Sequence, residues 1–246
     1  MRTRRTSFVT AALRLAVLML AAFALSGCME DGPILFEPSQ DYSDRVSKTC
    51  SVVPGSDIAP VVASDRVEFE LPPGGDCSAL RFGDDWALGH NYLMGFDVRL
   101  DRNRIGSRPV TLARLVRSGA SETELVSVKA SRQNGITVLG RRCVPASEFG
   151  TWHRVELRVA LSDQDEGFLE VFCDRKPIWA QDKIRTTLPP VCRRSEGCTI
   201  PVAKPVRFEW QIGLMTRHAV AHRLKIEMRR VFYRRLFLIP HRIGNL

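Results

Sequence analysis

From residue 65 onward the apolar residues recur at every second position, and that period decides what the chain can become. In Tyr92–Leu100 the residues Met94, Phe96, Val98 and Leu100 share one face, while Leu93, Gly95, Asp97 and Arg99 share the other. Successive strand residues point to opposite sides, so the run predicts a strand with one buried and one wet face. His153–Leu161 repeats the pattern, with Val155, Leu157, Val159 and Leu161 set against Arg154, Glu156 and Arg158. Phe208, Trp210, Ile212 and Leu214 alternate with Arg207, Glu209, Gln211 and Gly213. Gly167–Cys173 reads as a short strand after the turn-like stretch 162–166. Leu224–Ile239 reads as the last strand, carrying Ile226, Met228, Phe232, Leu236 and Leu238. A half-buried strand must cover its apolar face with another layer, so five or more of them, parted by Gly, Pro, Asn and Asp, predict an all-β antiparallel sandwich of two sheets. No internal repeat or shift in composition divides the stretch 65–246, which is expected to be one domain. With 44% apolar residues the chain is too hydrophobic to be disordered throughout.

The first residues follow a different rule. Arg2, Arg4 and Arg5 precede an apolar stretch at 8–24, and Leu25-Ser26-Gly27-Cys28 follows at once. This order resembles the signal peptide of bacterial lipoproteins, in which the cysteine is acylated and becomes the first residue of the mature chain. The resemblance implies a signal peptide at 1–27 and lipidation at Cys28. Residues 28–64, rich in Pro, Ser, Asp and Gly, are then a tether between the membrane and the domain. Cleavage removes four arginines and no acid, taking the formal charge from +9 to +5, so part of the basicity belongs to targeting. In Gram-negative sorting an Asp after the lipidated cysteine favours the inner membrane. Met29 stands there, and the expected location is the periplasmic face of the outer membrane.

Apart from Cys28, six thiols remain: Cys50, Cys77, Cys143, Cys173, Cys192 and Cys198. An even number in an exported chain predicts three disulfides, because the periplasm is oxidising. Counting alone leaves the connectivity open; the preferred set is Cys192–Cys198 across a short loop, Cys143–Cys173 and Cys50–Cys77. None of the six has the clustered Cys/His spacing of a metal site, so no metal and no other cofactor is expected.

Read in order, several pieces resemble the concanavalin A-like polysaccharide lyases, in particular the heparin lyase I and alginate or glucuronan lyase group. They are Arg66-Val67-Glu68, similar to an Arg-x-Glu strand; Gly95-Phe96-Asp97-Val98-Arg99; and Gly150-Thr151-Trp152-His153 followed by Gly167-Phe168-Leu169-Glu170-Val171 and Ile212-Gly213-Leu214. The resemblance spans about 65–239. It implies a curved two-sheet jelly roll whose concave face holds a polysaccharide, and an acidic one suits the chemistry. A uronate carboxylate pairs with a planar guanidinium through two parallel hydrogen bonds, and this chain is richer in Arg than in Lys. The candidate sugar-binding residues are Arg66, Glu68, Arg99, Arg114, Gln211 and Arg217.

Elimination from a uronate must neutralise the carboxylate, remove the adjacent proton and protonate the leaving oxygen. The related enzymes do this with Gln-x-His on a middle strand and a Tyr on a late one. Here the middle strand places Arg114 and Val116 at the Gln and His positions, and the late strand places Met215 at the Tyr position. Neither valine nor methionine can move a proton. A displaced set would use Tyr233 as base with Gln211 or Arg114 polarising the carboxylate. His153 falls on the Val155 side and reads as structural. His218 and His222 would be neighbours only on a helix, and make no metal pair.

The leading functional expectation is a lipid-anchored envelope protein that binds an acidic polysaccharide without cleaving it. The alternatives are an active lyase with a displaced site and a structural envelope lipoprotein with no sugar ligand. The segment Arg217–Leu246 holds eight Lys and Arg against one acid, but an exported chain points this charge at glycan or lipid, not nucleic acid. No phosphate-binding glycine loop, Gly-x-Ser-x-Gly elbow or His-Glu-x-x-His stretch occurs. The oligomeric state is left open by the sequence.

Overall fold

A computed structural model of the chain describes residues 58–63, 65–82, 88–118, 123–186 and 207–236. Thirteen strands carry the fold. They are β1 (Val61–Val62), β2 (Val67–Leu71), β3 (Cys77–Phe82), β4 (Asn91–Leu100), β5 (Val110–Ser118), β6 (Thr123–Ser131), β7 (Gly135–Val138), β8 (Arg141–Val144), β9 (His153–Ala160), β10 (Gly167–Cys173), β11 (Lys176–Ile184), β12 (Arg207–Met215) and β13 (Leu224–Leu236). Two short 3-10 turns, Arg102–Arg104 and Ala146–Glu148, join them. Among the described residues no helix is long and apolar enough to cross a membrane.

The strands form two antiparallel sheets, one of seven strands in the order β1-β2-β13-β4-β9-β10-β11 and one of six in the order β3-β12-β5-β6-β7-β8. The pairs β2-β13, β13-β4, β4-β9, β3-β12 and β12-β5 join strands remote in sequence, which makes this a jelly roll and not a meander. The alternation read in the sequence is the alternation of burial. Val67, Phe69 and Leu71 of β2, Met94, Phe96 and Val98 of β4, Val155, Leu157 and Val159 of β9, and Phe208, Trp210 and Ile212 of β12 all enter one core. The rings of Phe96 and Trp210 meet across it with centroids 6.3 Å apart. Each such side chain, removed from water, stabilises the sandwich by about 2–3 kcal/mol before the entropy of ordering is counted.

The seven-stranded sheet begins ahead of the boundary expected at residue 65, since Val61 and Val62 pair with Glu68 and Val67 as an edge strand. Of the expected disulfides, Cys143–Cys173 is present with a Cα–Cα distance of 5.5 Å, and Cys77 is also disulfide-bonded. Cys28, Cys50, Cys192 and Cys198 lie outside the described residues, as do residues 1–27, expected as a signal peptide, and most of 28–64, expected as a tether.

Strand β12 presses unusually close to β3. Gly213 takes φ +140°, and a Cβ there would lie 2.2 Å from the Ser78 carbonyl oxygen and 2.9 Å from the Phe69 ring. A register shift between Ile212 and Met215 accompanies it. Only glycine meets both demands, and the bulge sets which residues of β12 look out of the six-stranded sheet.

Candidate functional site

Residues on β3, β12, β5 and β6 fall into a cross-strand row on the outer face of the six-stranded sheet. Gln211 stands opposite Arg81 on one side and Arg114 on the other, and Arg114 stands opposite Ser127. Directly opposed side chains share a face and lie within reach. The Arg114 Nε donates to Gln211 Oε1 at 2.7 Å, and Gln211 Nε2 donates to Glu209 Oε2 at 3.1 Å. Arg81 approaches the same Glu209 at 3.9 Å. Gln211 has no solvent exposure, so its amide is fixed in orientation at the floor between the two arginines. Val116, opposite Glu209, is also fully buried, and Met215 is buried beside Cys77 and Ala79.

The outer face of the seven-stranded sheet is a lattice of paired charges. Glu68 accepts from Lys225 Nζ at 2.7 Å and from Arg66 Nε at 3.2 Å. Glu227 receives Arg99 on one oxygen and faces Arg66 Nε at 3.4 Å with the other. The Lys225 ammonium holds the Glu68 carboxyl below the usual carboxylate range; burial pushes it the other way, and Arg66 adds to the lowering. The Arg66 guanidinium is held above its ordinary value by its hydrogen bond to Glu68. Aromatic rings lie beneath the arginines. Arg99 and Arg229 stack on Trp152 at 5.0 and 4.3 Å, and Arg154 covers Phe232 at 5.1 Å. The lattice therefore hides apolar surface as well as pairing charge. At its margin is a depression of about 560 Å³ between β4, the 102–104 turn, β13 and the Phe149-Gly150 turn.

The six candidate sugar-binding residues thus do not share one groove. Arg114 and Gln211 are joined on the six-stranded sheet, whereas Arg66 just ahead of β2, Glu68 on β2 and Arg99 on β4 lie on the opposite side of the sandwich. Arg217 is exposed in the loop after β12, outside both groups. The displaced catalytic set does not converge either. Tyr233 lies on β13 opposite Met94 and packs against the core of the seven-stranded sheet, away from Gln211 and Arg114. His153 is a clasp. Its Nδ1 meets Asp174 Oδ2 at 2.9 Å, and its Nε2 meets Thr151 Oγ1 at 2.8 Å, tying the 146–151 turn to the β10–β11 hairpin. Burial pushes the Asp174 carboxyl up, but the hydrogen bonds from His153 and the Arg154 N–H outweigh it and hold it below the usual range. Among the described residues no three His, Cys, Asp or Glu side chains gather as a metal site.

Arg81 and Glu209 are the partners that sequence reasoning missed. Arg81 was available to it, because β3 sets Leu80 and Phe82 into the core and leaves Arg81 outside. No protein-family model matches the chain, and no curated protein is similar to it in sequence. Solved structures are similar in fold. The endo-β-1,4-glucuronan lyase from the fungus Trichoderma reesei aligns over 82% of this chain and 92% of its own, with a TM-score of 0.53 and 14% identity. The alginate lyase vAL-1 from a Chlorella virus aligns over 72% and 89%, with a TM-score of 0.53 and 8% identity. The alginate lyase Aly36B aligns over 76% and 85%, with a TM-score of 0.50 and 9% identity. At these identities the likeness establishes the fold, a two-sheet jelly roll of the kind found in polysaccharide lyases, and activity has to be argued from the site.

Proposed function

We propose that this is a lipid-anchored envelope protein that holds an acidic polysaccharide on the outer face of its six-stranded sheet and does not cleave it. The observation that carries the proposal is the row Arg81–Gln211–Arg114, with the Gln211 amide locked at its floor. Two guanidinium groups flanking a fixed amide match a carboxylate beside sugar hydroxyls. The neighbouring positions, Val116 and Met215, offer no group that can take or give a proton at neutral pH. The fold likeness to enzymes named for glucuronan and alginate supports an acidic glycan as the ligand class. The Leu25-Ser26-Gly27-Cys28 sequence supports the anchor, with Cys28 acylated and the outer membrane as its location.

The test presents the intact chain, in detergent, with alginate, glucuronan and heparin-type polymers. Binding is followed by affinity electrophoresis and cleavage by the absorbance of the unsaturated product. Retardation by at least one polymer without new absorbance is expected, with Arg114→Ala weakening binding about tenfold, the scale of one lost charge-assisted pair. Turnover that disappears in Tyr233→Phe would overturn the proposal in favour of an active lyase. The anchor is read by incorporation of labelled fatty acid, which Cys28→Ser should abolish.

A further inference from the structure

The depression beside the seven-stranded sheet is lined by four cations, Arg99, Arg102, Arg104 and Lys225, against two carboxylates, Asp101 and Glu227. The two pairs of cations differ in kind. Arg99 and Lys225 are held in place, the first by Glu227 and the ring of Trp152, the second by Glu68 at 2.7 Å. Arg102 and Arg104 stand exposed on the turn, where Arg104 reaches Asp101 only at 3.8 Å and Arg102 has no side-chain partner among the described residues. The turn itself is fixed, because Asp101 Oδ1 accepts the Asn103 N–H at 2.8 Å. Positive charge on a set backbone thus faces an open hollow that Phe149 also lines.

The mixture of charges limits what can enter. A phosphate dianion would meet the carboxylates of Asp101 and Glu227 as like charges. A uronate carries one charge where the dianion carries two, and is repelled less. Its single carboxylate is matched by a planar guanidinium, its hydroxyls donate to the two carboxylates, and its C–H face lies against an apolar ring. We infer that this depression is a second acidic-sugar site, taking a uronate residue between Arg102, Arg104 and Phe149, on the side of the sandwich opposite Arg114 and Gln211. The ligand class is shared with the function proposed above, while the location is independent of it. A chain with one site on each face bridges two polymer strands and does not merely coat one.

The test is calorimetric titration of the intact chain with a glucuronate tetrasaccharide, a probe too short to reach both faces. Two equivalents are expected to bind. The double variant Arg102→Ala/Arg104→Ala should retain one, as should Arg114→Ala by loss of the other, and full-length glucuronan should form turbid networks only with the unaltered chain. If Arg114→Ala has no effect while the double variant abolishes binding, the depression stands as the sugar site and the six-stranded face does not. Unchanged stoichiometry and affinity in the double variant would overturn the second site. Displacement of the tetrasaccharide from Arg114→Ala by equimolar inorganic phosphate would overturn the choice of a uronate.

Discussion

Gly95 shows how tightly single residues are constrained where the seven-stranded sheet turns its back on the core. A Cβ added there would lie 2.8 Å from Phe232 Cζ and 2.8 Å from the Val155 carbonyl oxygen, one a ring and the other backbone. Neither neighbour can withdraw easily, since Phe232 is itself roofed by Arg154 and Val155 is bonded into the sheet. Gly95→Ala is expected to cost about 1–3 kcal/mol, the usual scale of overpacking, read as a lower denaturant midpoint. In a Phe232→Leu background the same substitution should cost less, because the two positions are in contact and their effects are not additive. The outward position of Gly95 was legible in the alternation of β4. The reason for glycine was not, because Phe232 is remote in sequence and reaches Gly95 only through the pairing of β13 with β4.

Elements explain why sequence reading carried some features and lost others. Period two revealed β4, β9, β10 and β12 because burial on one face imposes it locally. It also suggested that Phe232 shares a face with Ile226 and Met228, and β13 departs from that. Arg230 bulges out with φ +49°, the register shifts between Arg229 and Phe232, and Val231 takes the inward place while Phe232 turns outward. One extra residue flips every side chain beyond it. Sheet membership is equally non-local. Arg66-x-Glu68 was grouped with the strands of Arg114 and Gln211 by motif order, yet β2 pairs with β13 and serves the charged lattice of the other sheet. That lattice has a pH signature. Glu68 titrates lower in the folded chain than its ordinary value, so the stability it contributes is complete above that ordinary value and is lost as pH falls through the depressed one. Lys225→Met removes the main cause of the lowering. The variant should be less stable near neutrality by about 0.5–1 kcal/mol, given that both side chains are partly exposed. The gap should narrow as pH falls below the ordinary carboxylate range and close only once Glu68 is protonated in both folded proteins. Denaturant midpoints taken on acidification check it; a gap that stays constant would mean that Lys225 acts through its packing alone.

At the scale of the molecule, the two sheets must stay in register for either candidate face to keep its shape. The core does most of this, but β8 is the outermost strand of one sheet and β10 lies next to the edge of the other. Cys143 and Cys173 join those strands covalently across a sequence separation of 30 residues. Closing a loop of that length removes chain entropy from the unfolded state worth roughly 3.5 kcal/mol. The cross-link also lies one residue from Asp174, whose carboxylate grips His153 at the start of β9. Disulfide and clasp therefore fasten the same corner, and loss of the first loads the second. The double variant Cys143→Ala/Cys173→Ala should lose about 3–4 kcal/mol of unfolding free energy under oxidising conditions, measured by denaturant titration. The loss should deepen on acidification, as protonation of Asp174 releases the remaining tie. Its effect on ligand binding should be small at neutral pH, because neither candidate site contains β8 or β10. A loss under about 1 kcal/mol would instead mean that the shared apolar core holds the two sheets together without the cross-link.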